Sequence, residues 1–147
     1  MRIALASDHA GFALKRALSE RLANDGHDVE DCGCFDEQSC DYPDFAAAAA
    51  RRVGERAVER AILVCGTGIG MCMTANRIPG VRAALVHDAF TSRMAREHND
   101  SNVLCLGARV LEADRALDLV HLWLTTDFAG GRHSRRVDKI NALDAGG

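Results

Sequence analysis

The sequence predicts an α/β fold: one Rossmann-like, three-layer domain spanning residues 1–147, with a five-stranded parallel sheet flanked by helices. Three observations carry that expectation. Short apolar runs alternate with longer amphipathic segments along the chain, as in a parallel sheet covered on both faces. No low-complexity linker, solenoid-period repeat or heptad array interrupts the alternation. A length of 147 residues, 48% of them hydrophobic and 27% charged, suits one domain with a real core rather than two.

Ile3-Ala4-Leu5-Ala6 reads as the first strand. Phe12, Leu14, Ala17, Leu18 and Leu22 then recur at helical spacing over 11–24, and Asn24-Asp25-Gly26 stops that helix. A weaker strand is expected over 28–32. The alanine-rich stretch 44–60 reads as a helix with Asp44 placed to cap it. Ala61-Ile62-Leu63-Val64-Cys65 is the clearest buried strand, broken by glycines before a helix over 69–77. A strand over 81–86, a helix over 88–98 capped by Asp88, a strand over 103–106 and two helices near 112–125 and 133–143 complete the order. The last residues, Ala145-Gly146-Gly147, read as a frayed end.

Bulk properties exclude several classes. A net charge of -3 gives no general attraction to nucleic acid or to an anionic membrane. No apolar stretch reaches the roughly 18 residues of a membrane span, and Met1-Arg2 leads into a strand rather than a signal peptide. The expected location is the cytoplasm. The six cysteines, at 32, 34, 40, 65, 72 and 105, include no Cys-x-x-Cys pair and read as free thiols. The spacing of Cys32, Cys34 and Cys40 fits no usual zinc pattern, and no metal is expected.

Cys65 stands apart by position. In an open parallel sheet, ligands bind beyond the carboxyl ends of the strands. Cys65 ends a strand there, followed by Gly66-Thr67-Gly68-Ile69-Gly70. Glycines let the backbone turn sharply and present several N–H groups to one anion. The next helix adds its positive end, which favours a thiolate nearby. A base or nucleophile with an adjacent oxyanion hole is the chemical reading. A dinucleotide fingerprint is excluded because the third glycine comes one residue early. Cysteine-phosphatase chemistry would need an arginine at position 71, which is Met71. A buried cysteine before a purely structural glycine turn remains open on this motif alone.

Ser7-Asp8-His9-Ala10-Gly11 follows the first strand and should share the edge of Cys65. A carboxylate beside an imidazole can hold a hydroxyl and pass a proton; a helix cap with an exposed His9 is the plainer alternative. Arg132 and Arg136 are four apart in the cluster 130–136 and share a helix face. Two such guanidinium groups suit a phosphate dianion, or equally a solvated surface. Arg109 follows the fifth strand and falls at its carboxyl edge. His98-Asn99 instead ends a helix before that strand, which puts it at the amino edge, where the helix dipole alone would favour a histidine. If His98 acts with Cys65, it must reach a neighbour's Cys65 across a subunit interface.

Taken together, Asp8-His9-Ala10-Gly11, Asp41-Tyr42-Pro43, Cys65-Gly66-Thr67-Gly68-Ile69-Gly70, Ala75-Asn76-Arg77, His98-Asn99-Asp100, Gly107-Ala108-Arg109 and Gly130-Gly131-Arg132-His133-x-x-Arg136 resemble the type B ribose-5-phosphate isomerases. Galactose-6-phosphate isomerase subunits share that superfamily. The match runs in order through nearly the whole chain. The resemblance implies a carbohydrate-metabolism enzyme of the pentose phosphate pathway that interconverts ribose 5-phosphate and ribulose 5-phosphate through a cis-enediolate, without a cofactor. It implies Cys65 as the base, with Thr67 and the N–H groups of Gly66, Gly68, Ile69 and Gly70 stabilising the enediolate. His98 and Asp8 would open the furanose ring. Arg132 and Arg136 would hold the phosphate, supported by His9 and Arg109, while Asn99 binds sugar hydroxyls and Tyr42 lines the pocket. Some relatives replace the cysteine with a glutamate further along the loop; Met71 to Thr74 offer no carboxylate, so the cysteine subgroup fits. The expected assembly is a homodimer, or a dimer of such dimers, with active sites at the subunit interface. A hexose-6-phosphate isomerase acting on allose or galactose phosphates, and a noncatalytic sugar-phosphate sensor, are the alternatives.

Overall fold

The computed structural model describes residues 1–146. The elements are β1 (Arg2–Ser7), α1 (Phe12–Asn24), β2 (Asp28–Asp31), α2 (Tyr42–Gly54), β3 (Arg60–Cys65), α3 (Ile69–Ala75), β4 (Ala83–Leu85), α4 (Ala89–Glu97), β5 (Val103–Gly107), α5 (Ala113–Thr125) and α6 (Arg132–Gly146). The strands form one five-stranded sheet in the order β2-β1-β3-β5-β4, and every pairing is parallel. This is the three-layer α/β architecture that the alternation of segments predicts.

The side-chain period of the strands builds two cores from one sheet. Ile3, Leu5, Ile62, Val64, Leu104 and Leu106 face a layer that includes Leu14, Leu18, Leu119 and the fully buried Trp123. Ala4, Ala6, Ala61, Leu63, Cys65, Val103 and Cys105 face the other way, against Ala46, Ala49 and Ala50 of α2 and Met71 and Ala75 of α3. Alanine meets alanine there, so α2 can lie close to the sheet. Cys65 therefore points to the α2–α3 side, and this fixes which helices can reach it.

Element boundaries differ from expectation mainly at α2. The expected helix 44–60 begins instead at Tyr42, with Asp41 at the N-cap position, Pro43 in the first turn and Asp44 inside that turn. Proline at the start of a helix loses no hydrogen bond there and carries the right φ. The helix ends at Gly54, and Arg56 follows with φ of 60°, so 55–59 is a turn and not a helical end. Asp88 caps α4 as expected, through a reciprocal capping box with Thr91. The expected strands 28–32 and 81–86 shorten to Asp28–Asp31 and Ala83–Leu85, and the helix 69–77 ends at Ala75. The last helix runs from Arg132 to Gly146, past the frayed end expected from Ala145, and position 147 lies outside the described residues.

Gly11 joins β1 to α1 at a point with no space for a side chain. A Cβ there would lie 2.4 Å from the Val64 carbonyl oxygen, a backbone atom of β3 that cannot move without breaking the sheet. Gly11→Ala is expected to destabilise the fold by about 2 kcal/mol through overpacking. A urea midpoint shift measures it, and an unchanged midpoint would contradict the close packing.

Candidate active site

Strand order brings the catalytic candidates together. β1 and β3 are neighbours, and the chain leaves β1 toward β2 on one side and β3 toward β5 and β4 on the other. The gap between β1 and β3 is thus the topological switch point, where open α/β sheets bind ligands. Asp8 and His9 follow β1 and Cys65 ends β3, so they flank that crevice. Arg109 arrives from the carboxyl end of β5, tied down by hydrogen bonds from the N–H groups of Ala108 and Arg109 to the carbonyls of Cys65 and Gly66, 2.8 and 2.9 Å long.

The Cys65 loop wraps its own sulfur. The Gly68 N–H donates to Cys65 Sγ at 3.1 Å, so a backbone donor is aimed at the sulfur. Gly68 has φ of 80°, a left-handed conformation that glycine adopts without strain. The turn is also packed on each side. A Cβ on Gly70 would sit 2.2 Å from the Tyr42 ring, and one on Gly66 would sit 3.2 Å from Arg109 Nη1. Tyr42 and Arg109, both exposed, therefore lie over the loop. Thr67 and Ile69 are exposed on the same turn, with the Ile69 N–H donating to Thr67 Oγ1 at 3.3 Å.

Asp8 serves the structural job weighed for it. It is buried, and its Oδ1 accepts the Gly11 N–H at 3.1 Å, which steadies the entry to α1. Oδ2 is left for other partners. His9 Nδ1 accepts the Cys40 N–H at 3.2 Å, which leaves the proton on Nε2, free to donate to an anion.

The other half of the expected site lies elsewhere in the same chain. His98 caps the end of α4, at the amino end of β5, and the five residues of β5 hold the two sheet edges about 16 Å apart. The His98 ring stacks on His133, with centroids 4.1 Å apart and 15° between planes. Since His133 belongs to the first turn of α6, Arg132 and Arg136 stand beside His98 and Asn99, not beside their own Cys65. The structure brings Asp8, His9, Tyr42, Cys65 to Gly70 and Arg109 together at one edge. It brings His98, Asn99, Arg132 and Arg136 together at the other.

Three residues that sequence reasoning missed hold these halves. Arg96 is buried beneath the His98 turn and donates through Nη1 to the Ser101 carbonyl at 2.6 Å and to Asp100 Oδ1 at 2.8 Å. Asp100 occupies the left-handed region with φ of 47°. Lys15 is buried at the other edge; its Nζ donates to Asp31 Oδ1 at 2.7 Å and to the Cys34 carbonyl. His133 was visible within the Gly130–Arg136 motif without a role. A basic residue on the buried face of a predicted helix was the only signal for Lys15 and Arg96. The six cysteines are free thiols, and among the described residues no group of three or more His, Cys, Asp or Glu could hold a metal ion.

A thiol held by a backbone donor, at the same sheet edge as a carboxylate and an imidazole, with basic groups for an anion, suits a proton-transfer enzyme acting on an anionic substrate. The comparisons specify it. A family model described as Ribose/Galactose Isomerase matches residues 3–140. The chain is 44% identical over 142 residues to a putative sugar phosphate isomerase of Bacillus subtilis, covering 96% of this chain and 95% of that protein. It is 38% identical over 143 residues to ribose-5-phosphate isomerase B of Escherichia coli, covering 97% and 96%. The ribose-5-phosphate isomerase B structure from Clostridium thermocellum superposes with a TM-score of 0.97 at 44% identity over 99% of both chains. The Mycoplasma genitalium enzyme, with bound ribulose 5-phosphate, gives 0.95 at 42% over 98% and 96%. The chain belongs to the ribose/galactose isomerase family, among the type B ribose-5-phosphate isomerases.

Burial holds the His133 imidazole below its ordinary value of 6.5, helped by His98, Arg132 and Arg136 beside it. A histidine with a depressed folded value binds more protons when unfolded. Its contribution to stability is complete above pH 6.5 and is lost as the pH falls through the folded value. The melting temperature should therefore decline on acidification below pH 6.5, and His133→Asn should flatten that decline. An identical slope in both proteins would show that the stacked pair carries no such linkage.

Proposed function

We propose that the chain interconverts ribose 5-phosphate and ribulose 5-phosphate, with Cys65 as the base, in sites shared between two copies. The observation that carries the reading is the convergence on one switch-point crevice of the Cys65 thiol, the Asp8 carboxylate and the His9 Nε2–H. Family membership and the Mycoplasma genitalium relative with bound ribulose 5-phosphate support the substrate class.

Ring opening comes first. It needs a base on the C1 hydroxyl and an acid at the ring oxygen, which the Asp8 carboxylate and the imidazole of His98 of the partner subunit supply. The Cys65 thiolate then removes the C2 proton and returns it to C1, while the C2 hydroxyl proton passes to the C1 oxygen and the carbonyl moves to C2. Between these transfers the negative charge rests on an enediolate facing the N–H groups of Gly66 to Gly70 and Thr67. Each such preorganised donor is worth about 3 kcal/mol of barrier. The phosphate is held by Arg132 and Arg136 at the positive end of α6, with His9 and Arg109 from the Cys65 half. Asn99 takes sugar hydroxyls, and Tyr42 closes the loop side of the pocket. C1 is reduced as C2 is oxidised, with no net redox change in the sugar, so the residues named here suffice.

Sharing the site requires association, and α6 supports it. Ile140 and Leu143 are 44% and 74% exposed on a helix whose first turn bears the phosphate residues. A homodimer, or a dimer of such dimers, covers these apolar side chains and brings one His98 half to the other Cys65 half. No helix among the described residues is long and apolar enough to cross a membrane; we place the enzyme in the cytoplasm, on a phosphorylated sugar and not on nucleic acid.

Cys65→Ala and His98→Ala should each lose about a thousandfold or more in turnover, as loss of a general base or acid does. Mixed after unfolding and refolding, the two variants should recover activity in heterodimers that hold one intact site. Failure of the mixture, with each variant folded and dimeric, would overturn the shared arrangement. A second comparison addresses substrate length: kcat/KM should favour ribose 5-phosphate over allose 6-phosphate by about tenfold or more, the worth of a misfitted CH–OH unit. The reverse preference would assign the site to hexose phosphates.

A further inference from the structure

Two thiols that this reaction does not use lie against Ser7 and His9 at the end of β1. Cys34 is only 3% exposed. Its Sγ donates to the Asp36 carbonyl at 3.3 Å and lies 3.7 Å from Ser7 Oγ. Cys40 is half-buried, with its N–H 3.2 Å and its Sγ 3.9 Å from His9 Nδ1. Ser7 and His9 are two residues apart at the end of β1, so both sulfurs are drawn to the same strand end. The start of this segment is pinned: the Ser7 N–H donates to the Gly33 carbonyl and the Cys34 N–H to the Ser7 carbonyl, both at 2.8 Å, and buried Lys15 grips Asp31 and the Cys34 carbonyl. Residues 35–39 between the two thiols are exposed.

We propose that Cys34 and Cys40 are an oxidisable dithiol, and that their disulfide loosens the backbone contact that orients His9. The effect on catalysis rests on the assignment of His9 to the substrate phosphate; the formation of the bond does not. The oxidant is a low-molecular-weight disulfide such as glutathione disulfide. The Cys40 thiolate, the more accessible of the two, attacks one of its sulfurs and releases one glutathione thiolate, leaving a mixed disulfide on Cys40. The Cys34 thiolate attacks the Cys40 sulfur and expels the second glutathione. Two protein thiols lose two electrons and two protons, and one glutathione disulfide becomes two glutathione thiols. Burial holds the Cys40 thiol above its ordinary value, with Asp8 and Cys34 adding to it, so the exchange is slow at neutral pH. Bond formation brings the two sulfurs to about 2.05 Å. Because Cys34 is anchored on β1 and by Lys15, the displacement falls on Cys40, whose N–H then leaves His9.

The experiment has two readouts on the intact chain. After incubation with excess glutathione disulfide, free thiols are alkylated and the protein is cleaved at arginine and lysine and after Glu37, which separates Cys34 from Cys40. The expected product joins the two resulting fragments, with Cys32 alkylated. A bond from Cys40 to Cys32, or no bond between the fragments, overturns the proposal. This mapping needs no substrate, so it stands or falls apart from the isomerase reading. The second readout is the KM for ribose 5-phosphate, which should rise about tenfold on oxidation, the loss of one charge-assisted hydrogen bond. Dithiothreitol should reverse the rise. Cys34→Ser should keep the reduced enzyme's KM and show no rise. Glutathione added to Cys65 would lower kcat in both proteins alike, and so is distinguished. An equal KM change in wild type and Cys34→Ser, or no change in a protein shown to carry the bond, overturns the link to His9.

Discussion

The register between β1 and β3 is the constraint on which the catalytic edge depends. Five pairs, from Ile3 with Arg60 to Ser7 with Val64, fix it. They place Asp8 and His9 level with Cys65 across the switch-point gap. Side chains alternate along a strand, so a slip of one residue would turn Cys65 from the α2–α3 face to the side of Trp123. Such a slip would also bury Arg60 among the aliphatic side chains of the core. The alternation of Ala4 and Ala6 against Ile3 and Leu5 prevents it, because only the small residues fit beneath α2. Chemistry at the edge is thus specified by core volumes in the middle of the sheet.

A second constraint is the separation of the two sheet edges. Cys65 and His98 are held apart by β5 itself, which no side-chain rearrangement can shorten. Each half is rigid for its own reasons. The His98 turn rests on Arg96, whose guanidinium also satisfies the Ser101 carbonyl while Trp123 donates to Ser101 Oγ at 2.8 Å. The Cys65 half rests on the backbone bonds that tie the ends of β3 and β5 together. Association of two rigid halves has an advantage over a single flexible site: little ordering is left to occur when substrate binds. In the shared site proposed above, the exposed apolar residues of α6, beside Arg132 and Arg136, would give that association a driving force.

Much of the fold was legible because period and punctuation agree. The clearest strand, Ala61 to Cys65, is unbroken aliphatic sequence closed by glycine, and Asp88 with Thr91 forms the cap that its spacing announces. The start of α2 was misplaced because alanines and Asp44 give a strong helical signal that hides the role of Pro43. Its end was misplaced because Arg56 takes a positive φ without being glycine, and composition carries no mark of that. Within the site, Cys65, Asp8 and His9 could be placed on one edge from their position after strands. That β1 and β3 are neighbours could not, since strand order depends on long-range packing. Lys15 and Arg96 stayed hidden for a related reason. A charged residue on an apolar helix face looks like surface until its carboxylate and carbonyl partners, distant in sequence or concealed in turns, are seen around it.

The glycines after Cys65 pose the sharpest question, because a structural turn and an oxyanion hole have the same sequence. The geometry serves the structural turn directly, and the proposed oxyanion hole would draw on the same packing. Gly68 is required by its left-handed φ and by Leu85 and Leu106 against its α-carbon, with a Cβ falling 2.6 Å from Leu85 Cδ1. Gly70 is required by Tyr42, and Gly107 by the backbone of Thr67 at 2.8 Å. A loop compressed from three sides cannot rotate its N–H groups away, and the Gly68 N–H is left directed at sulfur. Preorganised donors stabilise a developing charge because no energy is spent turning them toward it during the reaction. The packing that makes the turn look merely structural is what makes its dipoles useful.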